Sequence, residues 1–341
     1  MGIRRVPGRI GFALLALAGA LLTGCSTLPQ SPLDVKGPVA EMQTGLLMYT
    51  LWIALGIGIF VTVALLFVVF RFRARPGVTS VPKQVHGNHT LEVIWTVIPI
   101  LILVSVAYPT VNAAFATSTP PADAFTVRAE GNQWWFGFNY PEGFTTANEL
   151  RIPVGKPVRL EIVSRDVIHS FWVPKLAGKI DMIPNRTNVM WLQADEPGLY
   201  MGQCAEFCGD SHAKMRFRVL AMEEKEYTAW VEQRLAMMDG PKNLSEKAVL
   251  GREIFEGSKA NCWACHTVDG TKAKAVVGPN LTDVGQRHSI AGGIMDNTIE
   301  NLQAWIANPP AFKPGTTMPI HEGRLTPEEI KAVAEYLHSL K

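Results

Sequence analysis

Two long uncharged runs constrain this chain more than anything else in it. Leu46 to Phe70 is 25 residues without a charge, and Val93 to Phe115 is a second run of 23. At ~1.5 Å of rise per residue, either run crosses a ~30 Å hydrocarbon layer with room for some tilt. Two buried core helices of such length and composition are a poor alternative. The runs predict a transmembrane hairpin over 46–115, with spans 46–70 and 93–115 and a connecting loop 71–92. Pro99 and Pro109 fall inside the second span, where membrane helices tolerate them. The loop carries Arg71, Arg73, Arg75 and Lys83, whereas the outer flanks carry Asp34, Lys36, Glu41 and Asp123. That asymmetry predicts a cytoplasmic loop, with everything after 115 beyond the membrane on its outer side.

The N-terminus reads as an export signal. Arg4, Arg5 and Arg9 precede an apolar run, Ile10 to Leu22, whose 13 residues are too few to span a bilayer. The run ends in Leu22-Thr23-Gly24-Cys25, which resembles a bacterial lipoprotein cleavage box. The resemblance implies a signal peptide 1–24, a lipidated Cys25 and an exported segment 25–45 on the bacterial cytoplasmic (inner) membrane. An uncleaved short helix with an ordinary cysteine is the other reading. Net charge is +2 with 18% charged residues, too balanced for nucleic-acid binding. The other cysteines form two close pairs, Cys204 with Cys208 and Cys262 with Cys265, so no long-range structural disulfide is needed.

The exported part divides by pattern. Residues 122–222 alternate apolar and polar, as in Arg159-Leu160-Glu161-Ile162-Val163, between turn signals such as Pro141-Glu142-Gly143 and Val154-Gly155-Lys156-Pro157. This predicts an all-β antiparallel sandwich or barrel. Residues 223–246 read as a linker with a helical start, broken at Asp239-Gly240-Pro241. Residues 247–341 read as all-α. Thr326-Pro327-Glu328-Glu329 is an N-terminal capping signal, and Ile330, Val333, Ala334 and Leu337 follow on one apolar face.

Cys262-Trp263-Ala264-Cys265-His266 is the C-x-x-C-H signature of covalent haem c. Cysteines three apart on a helical turn reach both vinyl groups of one porphyrin, and the adjacent histidine reaches the iron. A thioredoxin-type disulfide would not need His266. Met295, Met318, His288 and His321 are candidates for the sixth position. With Gly278-Pro279-Asn280-Leu281, the Met318-Pro319 loop and the terminal helix, 247–341 resembles class I cytochromes c. The resemblance implies ligation by His266 and Met318, and a thioether ligand raises the iron potential.

In GQCAEFCGDSHAKM (202–215) the donors run C-x3-C-x3-H-x2-M: Cys204, Cys208, His212 and Met215. Soft sulfur with imidazole selects copper or zinc over hard ions, and a weak methionine points to electron-transfer copper. Two thiolates exceed the need of one blue-copper ion but would bridge two. A second copper needs its own histidine, and His169 lies 35 residues upstream between strand-like runs. A Cys204–Cys208 disulfide or a core His169 are the plainer readings of each feature alone.

Residues 40–222 closely resemble subunit II of haem-copper cytochrome c oxidases, a membrane hairpin followed by a cupredoxin domain. The fused cytochrome marks the caa-type branch. The resemblance implies a dinuclear CuA centre bridged by Cys204 and Cys208, with His169 and His212 terminal, Met215 weak and Glu206 contributing its carbonyl. It also implies that the Glu206 side chain reaches magnesium at the interface with the catalytic subunit. Trp134, in Gly131-Asn132-Gln133-Trp134-Trp135-Phe136, matches the point where electrons enter from cytochrome c, although a packed aromatic is the plainer reading. Glu92, three residues before Trp95, matches the mouth of a proton pathway, or is merely interfacial. Pro184-Asn185-Arg186 departs from the family's Pro-Gly-Arg, but Asn tolerates the left-handed backbone.

The expected function is electron input to a haem-copper terminal oxidase. Electrons come from cytochrome c or a similar donor, and catalytic subunit I reduces oxygen with proton translocation. A nitric oxide reductase relay and a membrane-tethered copper chaperone are the alternatives. A quinol-oxidase subunit would lack the copper ligands present here.

Overall fold

The computed structural model describes residues 28–73, 76–77, 84 and 86–341. The segment expected to be a signal peptide, Cys25, Arg75 and Lys83 lie outside the described residues. The chain forms two compact units, Glu41–Ser118 and the rest.

The first unit holds the two long apolar helices. Helix α1 spans Pro38–Phe72 and α2 spans His89–Ser118. Each holds an 18-residue stretch of mean hydropathy 2.9 and 2.2 respectively, and both are long and apolar enough to cross a membrane. They run past the apolar stretches at both ends, because helical hydrogen bonding continues into polar flanks that composition alone excludes. The helix α2 assignment continues through Pro99 and Pro109. Asn88 caps its start, its Oδ1 accepting from Leu91 N at 3.2 Å, which puts Glu92 in the first turn.

The second unit begins its β region with β1 Phe125–Asn132, β2 Trp135–Asn139, β3 Thr145–Ala147, β4 Glu149–Pro153 and β5 Val158–Ser164. There follow β6 His169–Trp172, β7 Ile180–Met182, β8 Asn188–Leu192, β9 Gly198–Cys204 and β10 Arg216–Met222. One sheet runs β3-β2-β1-β5-β8 and the other β4-β10-β9-β6-β7. The sandwich is mixed rather than purely antiparallel. Strand β1 pairs with β5, and β4 with β10, in parallel. Parallel neighbours need a long connection, and in each case the chain crosses to the other sheet and returns. Alternation buries Val127, Ala129, Leu160 and Ile162 inside. Phe171 and Phe136 pack on Phe217 as tilted rings, with centroids 4.5 and 4.6 Å away. Turn expectations hold: Gly143 and Gly155 take positive φ, and Asn185 sits at φ 60° in the left-handed region.

The stretch after the sandwich is packed rather than free. Helix α3, Glu224–Ala236, buries Tyr227, Trp230 and Arg234. Trp230 meets Tyr140 edge-on at 5.3 Å, and Arg234 bonds Asp269 at 2.7 Å. The helical domain holds α4 Glu246–Glu256, α5 Ile299–Ala307, α6 Pro309–Phe312 and α7 Pro327–His338. A short β11–β12 ribbon, Ser289–Ile290 with Met295–Asp296, lies before α5. Thr326 and Glu329 form the expected capping box, and Ile330, Val333, Ala334 and Leu337 are all buried. Each of the larger ones contributes about 1.5–3 kcal/mol against exposure. Gly251 lets α4 approach α7 closely, since a Cβ there would collide with the Ala332 carbonyl.

Candidate metal centre and haem pocket

Pairing register assembles the metal centre. Phe171 of β6 lies opposite Cys204 at the end of β9. His169, two residues earlier on β6, therefore shares that strand face and stands beside the loop that follows β9. The loop returns through a short 3₁₀ turn, His212–Lys214, to the fully buried Met215 before β10. Cys204 Sγ and Cys208 Sγ are 3.7 Å apart and unbridged.

Each sulfur has its own companions. Cys204 Sγ lies 3.9 Å from His169 Nδ1 and 3.2 Å from the Glu206 carbonyl. Cys208 Sγ lies 3.5 Å from His212 Nδ1 and 3.8 Å from Met215 Sδ. The donors form two half-sites that share a pair of thiols. The Cys208 thiol beside it holds the Cys204 pKa well below the usual thiol range, while Cys204 and burial push Cys208 up. The pair thus gives up one proton readily and keeps the other until a cation displaces it. Soft donors in this number fit copper.

Asp166 orients the first half-site, and the sequence reading gave it no role. Its Oδ1 lies 2.7 Å from His169 Nε2, which turns Nδ1 toward Cys204. Backbone N–H groups of Gln133 and Val167 donate to Asp166 at 2.7 Å each. Burial would lower the His169 pKa, but Asp166 and Cys204 outweigh it and raise it. The Asp-x-x-His spacing was the available signal.

Trp134 is 7% exposed, and its indole Nε1 donates to the Cys208 carbonyl at 3.0 Å. Gln133 Nε2 donates to the same oxygen at 2.7 Å. The other side of Trp134 meets a cavity in the helical domain.

That cavity is the candidate haem pocket. Asn261, at φ 56°, starts the 3₁₀ turn Cys262–Ala264. The turn aims Cys262 and Cys265 into the cavity beside His266. His266 Nδ1 donates to the Pro279 carbonyl at 2.9 Å, which leaves Nε2 free to ligate. Enclosure by protein lowers its pKa, favouring the neutral imidazole. Gly278 makes this approach possible, since a Cβ would stand 2.7 Å from His266 Cε1. Leu281, Ile290, Leu302, Ile306 and Leu337 supply apolar walls. Two buried donors, His321 Nδ1 and Arg287 Nε, have no partner, and both residues line the cavity. Apolar walls with orphan donors fit a porphyrin and its carboxylates.

Of the four sixth-position candidates, Met318 and His321 line the cavity. Met295 packs against the helical core instead. His288 bonds outward to Glu149 of the sandwich, Nδ1 donating at 2.9 Å.

The domains match known family models. Residues 33–112 match the cytochrome c oxidase subunit II transmembrane domain, 143–222 its periplasmic domain and 248–341 cytochrome c. Cytochrome c oxidase subunit 2 of Alkalihalophilus pseudofirmus is 41% identical over 97% of this chain and 96% of that protein. Quinol oxidase subunit 2 of Bacillus spizizenii is 37% identical over 67% of this chain and 72% of its own. The crystal structure of the periplasmic domain of subunit II of Bradyrhizobium japonicum cytochrome oxidase aligns with a TM-score of 0.33 and 35% identity. The alignment covers 34% of this chain and 96% of that one. The chain belongs to the cytochrome c oxidase subunit 2 family, with a cytochrome c domain at its C-terminal end, and is a component of an oxidoreductase complex.

Proposed function

We propose that this subunit takes electrons from cytochrome c or a similar external donor and delivers them to catalytic subunit I of a haem-copper oxidase. There oxygen is reduced to water with proton translocation. The observation that carries the reading is the paired half-site: two sulfurs 3.7 Å apart, each with its own histidine. Covalent haem c and a dinuclear copper CuA centre supply reversible one-electron chemistry when bound.

His169, Cys204, the Glu206 carbonyl, Cys208, His212 and Met215 hold the copper. Cys262, Cys265, His266 and Met318 hold the haem. Trp134 excludes water between the two sites and joins the haem cavity to the Cys208 carbonyl by one hydrogen bond. Exposed Phe207, Val167 and Ile168 offer apolar surface beside the donors for the catalytic subunit. The Glu206 carboxylate reaches magnesium at that junction. Glu92 stands at the cytoplasmic mouth of a proton path, the copper and haem domains face outward, and lipid on Cys25 adds an anchor.

The test is purification of the complex with its native partners. Elemental analysis should find about two coppers per chain, and a haem stain should survive denaturing electrophoresis, as thioether attachment requires. The complex should consume oxygen with reduced cytochrome c. Consumption of nitric oxide but not oxygen would overturn the reading.

A further inference from the structure

The loop that holds the copper donors and the loop that carries Met318 are bonded to each other. Ser211 precedes His212, and its Oγ donates to the Pro314 carbonyl at 2.7 Å. Lys214 precedes Met215, and its Nζ donates to the Phe312 carbonyl at 2.5 Å. A third bond reaches a neighbouring turn: Lys313 Nζ donates to the carbonyl of Trp134, between β1 and β2. Ser211 and Lys313 are 1% and 4% exposed and Lys214 is half-buried, so solvent competes only partly with these bonds. Gly315 completes the grip at φ 78°, where a Cβ would stand 2.7 Å from the Trp134 ring and 2.9 Å from Asp210.

The hold passes on to Met318. Thr316 N donates to the Lys313 carbonyl at 3.2 Å, and Met318 N donates to Thr316 Oγ1 at 3.4 Å. Segment 312–315 is thus fixed by the two residues that flank copper donors, three residues before the haem's methionine.

We propose that Ser211 and Lys214 are positioning residues for the haem: they seat Met318 by holding its loop against the copper loop. Filling the copper site and seating Met318 therefore favour each other. The reasoning is linkage. Bound copper ties His169, Cys204, Cys208, His212 and Met215 to one position and stiffens the 205–215 loop. A stiff loop presents Ser211 and Lys214 in fixed register, so ordering the Met318 loop costs less. By reciprocity, a seated Met318 raises copper affinity by the same factor. The inference rests on the ligand assignments proposed above.

Carbon monoxide is the probe, because it binds ferrous haem only where the sixth position opens. The full chain with haem attached is compared in four forms: copper-loaded, copper-depleted, the loaded S211A/K214M double variant and Met318→Leu. Copper removal and the double variant should each raise the CO-reactive fraction roughly fivefold or more, the lower end of coupling between sites. Restoring copper should reverse the first rise, and the double variant should hold copper more weakly. No rise on copper removal would overturn the coupling; this arm uses the native chain and does not depend on a variant folding. A rise on copper removal with none in the double variant would overturn the roles of Ser211 and Lys214. An unchanged CO fraction in Met318→Leu would instead overturn Met318 as the iron ligand, a failure distinct from either.

Discussion

The copper loop and the haem pocket are built in opposite ways. Around the loop the donors already converge, with His169, Cys204 and Cys208 ligand atoms all within 4.8 Å of one another. In the pocket, Cys262, Cys265, His266 and Met318 line one cavity whose surface is otherwise largely apolar. An ion offers charge and empty coordination positions, so donors make its site. A porphyrin offers a large apolar face, so walls make its site and donors fix it at a few points. One site should therefore fail through single donor atoms and the other through loss of packing.

Cys208→Ser breaks that comparison hardest. Cys208 serves both half-sites and keeps both histidine companions in one cluster. Copper affinity should fall beyond the ~10–100-fold typical of losing an outer-shell partner. Haem content should stay at the native level, because its proposed anchors, Cys262 and Cys265, lie in the other domain. Copper and haem per chain, measured together, check this, and copper retained at native level would refute the shared-thiol arrangement.

Glu149→Ala should do the reverse. Glu149 is 3% exposed and binds Arg151 at 2.8 Å and both His288 N and Nδ1, at 3.0 and 2.9 Å. Arg151 in turn donates to the Gln286 carbonyl at 2.9 Å, so the cluster ties the sandwich wall of the haem pocket to the helical domain. Removing one partner of a buried pair costs about 3–5 kcal/mol. Thermal unfolding followed by haem absorbance should shift accordingly, with copper bound up to that transition. The pH dependence follows. His288, Arg151 and the backbone overcome burial and hold Glu149 at about 2, below its ordinary 4.5. Its contribution is present above 4.5 and is lost as pH falls toward 2. Glu149 raises His288 above its ordinary 6.5, so that charge helps below 6.5 and fades as pH rises through the raised value. Docking should be firmest between about pH 4.5 and 6.5, and Glu149→Ala should flatten the profile.

Much of each site was legible because chemistry forces spacing. Cys204, Cys208, His212 and Met215 fall in one loop, and ligand counting demanded a distant partner that register supplied at His169. Asp166 escaped notice because Asp-x-x-His is a common spacing, and only the fold turns the carboxylate onto the His169 ring. For the sixth haem position the sequence offered four candidates, and only folding separates Met318 and His321 from Met295 and His288. The joint between domains was not legible at all. Ser211 to Pro314 spans 103 residues, and a side chain bonded to a bare carbonyl leaves no trace in the acceptor's identity. The parallel pairings were hidden for a related reason, since alternation shows which face a residue takes but not which strand lies beside it.

Asp166→Ala sharpens the copper half of the comparison. The His169 ring would lose the carboxylate that fixes its orientation, while every donor atom remains. Losing such a partner costs about 10–100-fold in metal affinity. Competition against a copper chelator should show that loss, smaller than for Cys208→Ser. Equal retention in Asp166→Ala and the native chain would mean packing alone orients His169.

Thr326→Ala gives the smallest effect and probes the walls. The Thr326 hydroxyl accepts from Glu329 N at 3.2 Å, and Glu329 Oε2 accepts from Thr326 N at 2.7 Å. The box starts α7, whose Leu337 lines the haem cavity some three turns away. Losing the cap costs about 1 kcal/mol. The haem-reported transition should move by that amount, since α7 carries Leu337 into the cavity wall. Copper affinity should not change, because no donor and no residue of the 205–215 loop touches the cap. A shift in copper affinity as large as the shift in haem stability would mean that the two sites do not differ in kind, and that the copper donors too depend on the packing of distant helices.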